Sequence, residues 1–295
     1  MKYKFDKQLK NHPNLPFCKA LLPVANAALR VMPKGIDGSK VVYRKYKCGS
    51  VGLHSITPKT ADAKGGLPCL FYIHGGGFGY AESFVHYHAE QLYAVGANCM
   101  VVGVDYDLLP SAKYPVAANQ CVQAYRYVTQ NPDTFGIFCD KIVVGGDSAG
   151  GSLALEVCRL LTSADVLPVG LLAVYPVVDD RTDDTSMLTY TDTPLWNAKN
   201  NAKMWQMYLG GAEYRSPLAD ADKYSYLQHA FVEAEQFDCL HDQDAELANV
   251  LQSVVADVTL VQNDGTFHGF EINKNADVTR QSFARRIEFL KRCFE

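Results

Sequence analysis

Ile142-Val143-Val144-Gly145-Gly146-Asp147-Ser148-Ala149-Gly150 is the stretch that decides the fold. An apolar run ends on a serine with glycine two places before it and two places after it. A chain that passes from a strand into a helix over so few residues must bring two backbones close together. Glycine permits that approach, and the sharp turn lifts the serine hydroxyl clear of the sheet as a nucleophile. A glycine-rich surface turn would read the same way, so the rest of the chain has to decide between the two.

A second motif lies upstream. Leu70-Phe71-Tyr72-Ile73 reads as a buried strand and runs into His74-Gly75-Gly76-Gly77-Phe78-Gly79. Successive glycines after a strand expose backbone N–H groups that no side chain shields, and such donors stabilise an oxyanion. A phosphate could sit on a similar loop. The spacing here is not that of a dinucleotide fingerprint, however, and no GK[ST] follows anywhere. Together the two motifs resemble the hormone-sensitive-lipase-like esterases of the α/β-hydrolase superfamily.

That family orders its catalytic residues as serine, acid, histidine, with the acid in a D-x-L segment and the histidine in an H-G-F or H-G-Y segment. Asp238-Cys239-Leu240 and His268-Gly269-Phe270 match in that order. The resemblance runs from about residue 41 to the C-terminus. It implies Ser148 as nucleophile, His268 as base and Asp238 as the acid that holds the imidazole tautomer. Asp242 and Asp244 compete for the acid role, although carboxylates in the first turn of a helix favour that position anyway. The expected oxyanion donors are the N–H groups of Gly76, Gly77 and Ala149, with a share for Gly75. His74 reads as an anchor of its loop, and Asp147 as a buried hydrogen-bonding group. One segment departs from the family pattern. Where the relatives carry Y-R-L-A-P-E, this chain has Tyr106-Asp107-Leu108-Leu109-Pro110-Ser111, so the arginine and the glutamate are both missing.

Apolar segments at 41–47, 51–57, 70–74, 99–105, 142–145, 171–175, 231–234 and 258–261 read as strands. Amphipathic segments near 83–95, 116–129 and 149–161 alternate with them, and 276–294 carries Phe283, Ile287, Leu290 and Phe294 on one stripe of a closing helix. Continuous apolar strands between helices predict an α/β fold: a mostly parallel eight-stranded sheet with helices on both faces, whose motifs all fall just beyond strand ends. Residues 1–40, with helical fragments broken by Pro13, Pro16, Pro23 and Pro33, and residues 177–227 stand outside the alternation. In the family they join as a small helical cap over a single domain. Phe78, Tyr80, Trp196 and Met204 are the candidate substrate-binding side chains, Trp196 and Met204 serving either the acyl pocket or the packing of the cap.

The 28 Lys and Arg against 32 Asp and Glu leave a net charge of −4 and no basic footprint for nucleic acid. No run of eighteen apolar residues suggests a membrane span. The first twenty residues hold five lysines and no apolar core of a secretory signal, which points to a cytoplasmic setting. Nine cysteines without C-x-x-C pairs predict buried thiols rather than disulfides or a zinc site. His86-x-His88 lacks metal-ligand helix spacing and reads as a surface or cap contact. Asp179, Asp180, Asp183 and Asp184 read as a solvated loop. No cofactor and no metal is expected, and the expected partner is a small-molecule ester; a homodimer stays open. The leading function is hydrolysis of short-chain carboxylic esters. An amidase or deacetylase acting on acylated sugars or arylamides shares the same chemistry. A non-catalytic receptor of the kind that plant gibberellin receptors represent lacks the histidine, which this chain retains at His268.

Overall fold

A computed structural model describes residues 2–10, 12–14, 16–61 and 65–295. The elements run α1 (Leu22–Val31), β1 (Val41–Cys48), β2 (Val51–Pro58), β3 (Leu67–Ile73), α2 (Phe84–Ala97), β4 (Met100–Asp105), α3 (Val116–Gln130), α4 (Pro132–Phe135), β5 (Ile137–Asp147), α5 (Ala149–Leu160), β6 (Gly170–Val174), α6 (Thr185–Thr189), α7 (Ala198–Leu209), β7 (His229–Glu235), α8 (His241–Gln252), β8 (Asp257–Asn263) and α9 (Asp277–Phe294). Eight strands form one sheet in the order β1-β2-β4-β3-β5-β6-β7-β8. β1 and β2 are a hairpin closed at Gly49-Ser50, where Gly49 takes φ +61°. β2 meets β4 antiparallel, and every later pair is parallel.

The central parallel strands β3, β4 and β6 are almost wholly apolar because both of their faces are covered. Alternate residues go to opposite layers. Cys69, Phe71 and Ile73 pack in one cluster with α3, α5 and α8, while Leu70 and Tyr72 join the other with α2 and α9. β5 and β6 divide the same way, with Val144, Leu171 and Ala173 on the first side and Val143, Leu172 and Val174 on the second.

The N-terminal segment differs from its sequence reading. Pro23 does not break a helix; it falls in the first turn of α1, where its missing N–H has no intrahelical partner to lose. The acidic loop differs too. Asp179 is buried; it accepts from the Arg181 N–H at 3.0 Å, and its own N–H donates to Gln243 Oε1 at 3.2 Å. Asp184 accepts from Gln243 on α8 at 2.6 Å and Arg181 bonds Glu246, so Asp179 and Asp184 are tied to α8, while Asp180 and Asp183 are exposed as a solvated loop would have them. All nine cysteines are free thiols. Among the described residues no helix is long and apolar enough to cross a membrane.

Candidate active site

The turn between β5 and α5 is as tight as its glycines suggest. Ser148 sits at φ 54°, ψ −122°, a conformation that side chains rarely adopt. Its N–H donates to Val174 O at 2.8 Å, and its carbonyl accepts from Ser152 at 3.1 Å and Val177 at 3.0 Å, so bonds on both sides hold the strained residue. A Cβ on Gly150 would lie 2.0 Å from Ile73 O, and one on Gly146 would lie 2.4 Å from Gly150 O. Neither position has room for a side chain.

β5, β7 and β8 present their C-terminal ends on one edge of the sheet. Ser148 follows β5, Asp238 follows β7 and His268 follows β8. His268 Nε2 lies 2.8 Å from Ser148 Oγ, and His268 Nδ1 lies 2.6 Å from Asp238 Oδ2. The second oxygen of Asp238 accepts from Leu240 N–H at 3.1 Å. Asp238 is fully buried, while Ser148 and His268 keep 5% and 6% exposure, enough to touch a small ligand and little more. With its Nδ1 proton held by Asp238, the ring presents a lone pair to the serine hydroxyl. Asp242 instead accepts from Ser186 N–H at 2.9 Å, and Asp244 is buried with both carboxylate oxygens unpartnered. Burial, then the nearby Asp238, pushes the Asp244 carboxyl well above its usual range.

Among the described residues the N–H groups of Gly76, Gly77 and Ala149 have no acceptor. Ala149 opens α5, where the helix dipole adds positive potential. Gly75 departs from expectation. Its N–H is occupied by Asp147 Oδ1 at 3.1 Å, and it therefore has no free donor. Gly77 has φ +59°, and a Cβ there would lie 2.7 Å from Trp196 Cη2.

Asp147 organises the back of the loop. Tyr72 donates to its Oδ1 at 2.5 Å, and His86 Nε2 approaches its Oδ2 at 3.5 Å. Although burial opposes it, the charge of His86 and these hydrogen bonds hold the Asp147 carboxyl well below its usual range. Asp147 in turn raises His86 against the pull of burial. His86 is thus an inward partner of the elbow and a member of the capping box of α2, not a surface or cap contact. His88 is half-buried on α2 with its ring edge-on to Phe283. His74 keeps Nδ1 on Gly75 O at 2.7 Å and stacks on Tyr106, 4.6 Å between centroids. Burial and the neighbouring His86 push it down to about 3, so it is a neutral anchor.

The altered segment after β4 holds the glycine loop without the missing arginine and glutamate. Tyr106 donates to His74 O at 2.9 Å and Leu109 N–H to Phe78 O at 2.8 Å, while Asp107 pairs with Gln120 on α3.

The four aromatic and thioether candidates separate. Trp196 is buried 6.1 Å from the His268 ring, edge-on to Phe17, which in turn meets Tyr80. Phe78 turns away: it is fully buried and stacked on Tyr208 at 3.7 Å and 2°. Met204 is likewise buried in the first core cluster. Both serve packing. Sequence reasoning missed Phe17, and it missed Tyr175, whose ring lies 4.6 Å from His268. Tyr175 donates to Glu271 Oε2 at 2.9 Å; Glu271 accepts from Arg286 at 2.6 Å, and Arg286 also holds Glu233. Its place directly beyond β6, between two strands that carry site residues, was the available signal.

Comparison with known proteins places the same fold among esterases. A family model described as the alpha/beta hydrolase fold matches residues 70–272. Esterase LipI of Mycobacterium tuberculosis is 27% identical over 248 residues, 82% of this chain and 75% of that protein. An acetyl esterase of Salmonella choleraesuis is 29% identical over 208 residues, 68% of this chain and 64% of that protein. Among solved structures, a bacterial heroin esterase superposes with a TM-score of 0.82 at 29% identity, covering 96% of this chain and 95% of the other.

Proposed function

The chain belongs to the alpha/beta hydrolase fold family and is a carboxylic ester hydrolase, and on that premise we propose that it cleaves short-chain acyl esters through Ser148, His268 and Asp238. The observation that carries this reading is the unbroken run of hydrogen bonds from Ser148 Oγ through the imidazole to the buried Asp238. His268 Nε2 accepts the serine proton as Oγ attacks the ester carbonyl carbon. Negative charge develops on the carbonyl oxygen, and the free N–H groups of Gly76, Gly77 and Ala149 receive it. Asp238 stabilises the imidazolium. Collapse breaks the C–O bond to the alcohol, which leaves with the proton from His268. A water molecule, deprotonated by the same nitrogen, then releases the acid from Ser148.

We assign residues 1–40 and 177–227 to a cap over a single domain. Described residues of the two segments hold each other: Phe17 N–H donates to Asn200 Oδ1 at 2.9 Å, Asn14 to Asp192 O at 2.9 Å, and Lys2 pairs with Asp192 at 2.8 Å. A short acyl group suits this enclosure. Trp196 and Phe17 wall the side of Gly77, and Trp196 also stands beside the His268 ring. The relative named as an acetyl esterase supports a small acyl group. Initial rates on acetate, butyrate, hexanoate, decanoate and palmitate esters test the proposal. A maximum between two and six carbons is expected, and a maximum at decanoate or beyond overturns it.

A further inference from the structure

Where α2 packs on β2 lies a group that ester hydrolysis does not use. His54 on β2, Glu82 in the loop that leaves the oxyanion glycines, and Glu90 on α2 converge with their ligand atoms within 4.8 Å of one another. His54 Nε2 is 2.9 and 3.1 Å from the two oxygens of Glu90 and 3.6 Å from Glu82 Oε1. Side-chain exposure is 4% for His54, 7% for Glu82 and 0% for Glu90. Among the described residues no lysine or arginine forms an ion pair with either carboxylate; Lys34, the nearest candidate, donates to the Tyr87 hydroxyl. Two carboxylates are therefore held out of water with one imidazole between them; Lys34 and Lys45 on the cavity wall act on the group only through space, and a cation seated at the cluster compensates the acids directly.

The cradle is built into the backbone. Gly103 on β4 pairs with His54, and a Cβ there would lie 2.2 Å from His54 Cε1 and 2.6 Å from Glu90 Oε1. Tyr43 and Tyr87 flank the imidazole at 5.5 and 5.3 Å and fix its plane. His54 and Glu82 also line a cavity of about 520 Å³, which gives a route to solvent, and neither Ser148 nor His268 borders it.

We propose that His54, Glu82 and Glu90 bind a divalent transition-series cation, Zn²⁺ or Mn²⁺. Bonds of about 2.1 Å set neighbouring ligands about 3.0 Å apart in an octahedron and about 3.4 Å apart in a tetrahedron. The separations from His54 Nε2 straddle those values. The imidazole selects against Mg²⁺ and Ca²⁺, which prefer all-oxygen shells, and the remaining positions face the cavity for water. The bound ion ties β2, the exit of the glycine loop and α2 together, so its effect is on stability and not on the ester chemistry. No sequence spacing announces it, because the three residues come from a strand, a loop and a helix.

The full chain, stripped with a chelator and dialysed, is titrated with Zn²⁺ and separately with Mn²⁺ by calorimetry and thermal unfolding. One ion per chain and a melting temperature several degrees higher are expected. Cobalt loading should give a visible spectrum of a mixed nitrogen and oxygen shell. His54→Ala and Glu90→Gln should each weaken binding by roughly tenfold to a hundredfold or more. Glu82→Gln, which keeps the side chain's shape and lies outside both the strand and the helix, provides the same test if the other two variants do not fold. No binding up to about millimolar metal at pH 8, or an undiminished single site in the folded variants, overturns the proposal.

Discussion

Replacing Asp238 with asparagine separates the proposed acid from its neighbours. Asp238 Oδ2 lies 2.6 Å from His268 Nδ1 and has no exposure to solvent that could supply a substitute acceptor. Asparagine fits the same space, but its amide turns an N–H toward Nδ1. The ring proton then moves to Nε2, which faces Ser148 Oγ at 2.8 Å and no longer accepts the serine proton. The imidazolium also loses its buried counter-charge. A wrong tautomer of this kind costs on the order of 10⁴ in kcat, or about 5.4 kcal/mol at 1.36 kcal/mol per decade. The KM should change little, because Asp238 touches no substrate. Asp244→Asn is the control. Both of its oxygens are buried without a partner, so a neutral amide replaces a carboxyl whose ionisation burial disfavours. Its folded value is raised, so ionisation opposes folding, and stability is lost as pH climbs above the ordinary carboxyl value of 3.8. The variant should match the parent in kcat within a few-fold and melt at a higher temperature, with the margin widening as pH rises. Steady-state kinetics and thermal melts from pH 5 to 9 measure both effects. If Asp244→Asn or Asp242→Asn proves as damaging to kcat as Asp238→Asn, the assignment of the acid is refuted.

Gly77→Ala drives a methyl against Trp196 at a backbone angle that alanine resists; kcat on a p-nitrophenyl ester should fall by roughly 10²–10³ through a displaced oxyanion donor, while fluorophosphonate labelling slows in parallel. Arg286→Met leaves Glu233 and Glu271 buried without their cation, and chemical denaturation should show a loss of about 3–5 kcal/mol. Trp196→Ala removes the wall beside Gly77 and His268. The optimum in the acyl-chain series should then move toward longer chains, and an unchanged optimum would show that Trp196 does not limit the pocket.

The sequence made the elbow, the glycine loop and the order of Ser148, Asp238 and His268 legible, because each depends on backbone geometry that only certain residues permit. The sheet was legible for the same reason: apolar runs without alternation imply two covered faces. Side-chain direction was not. His86 looked like a surface residue, yet one turn of α2 aims it at Asp147, while Phe78 leaves the glycine loop at φ 56° and points into the core. Gly75 shows a related limit. Its N–H is as unshielded in sequence as those of Gly76 and Gly77, but Asp147, distant in sequence, has taken it. Pro23 and Asp179 depended on neighbours that only the folded chain supplies, a helix start and the partners Arg181 and Gln243.

The central claim is that Ser148 is the nucleophile of an acyl-enzyme pathway. Active-site titration with a fluorophosphonate, followed by mass spectrometry of the digested protein, tests it most directly. One phosphonyl group per chain on the peptide that contains Ser148, with activity falling in proportion and no labelling of Ser148→Ala, is the predicted result. Ester hydrolysis that persists while Ser148 stays unlabelled, or labelling at another serine in step with lost activity, would contradict the account.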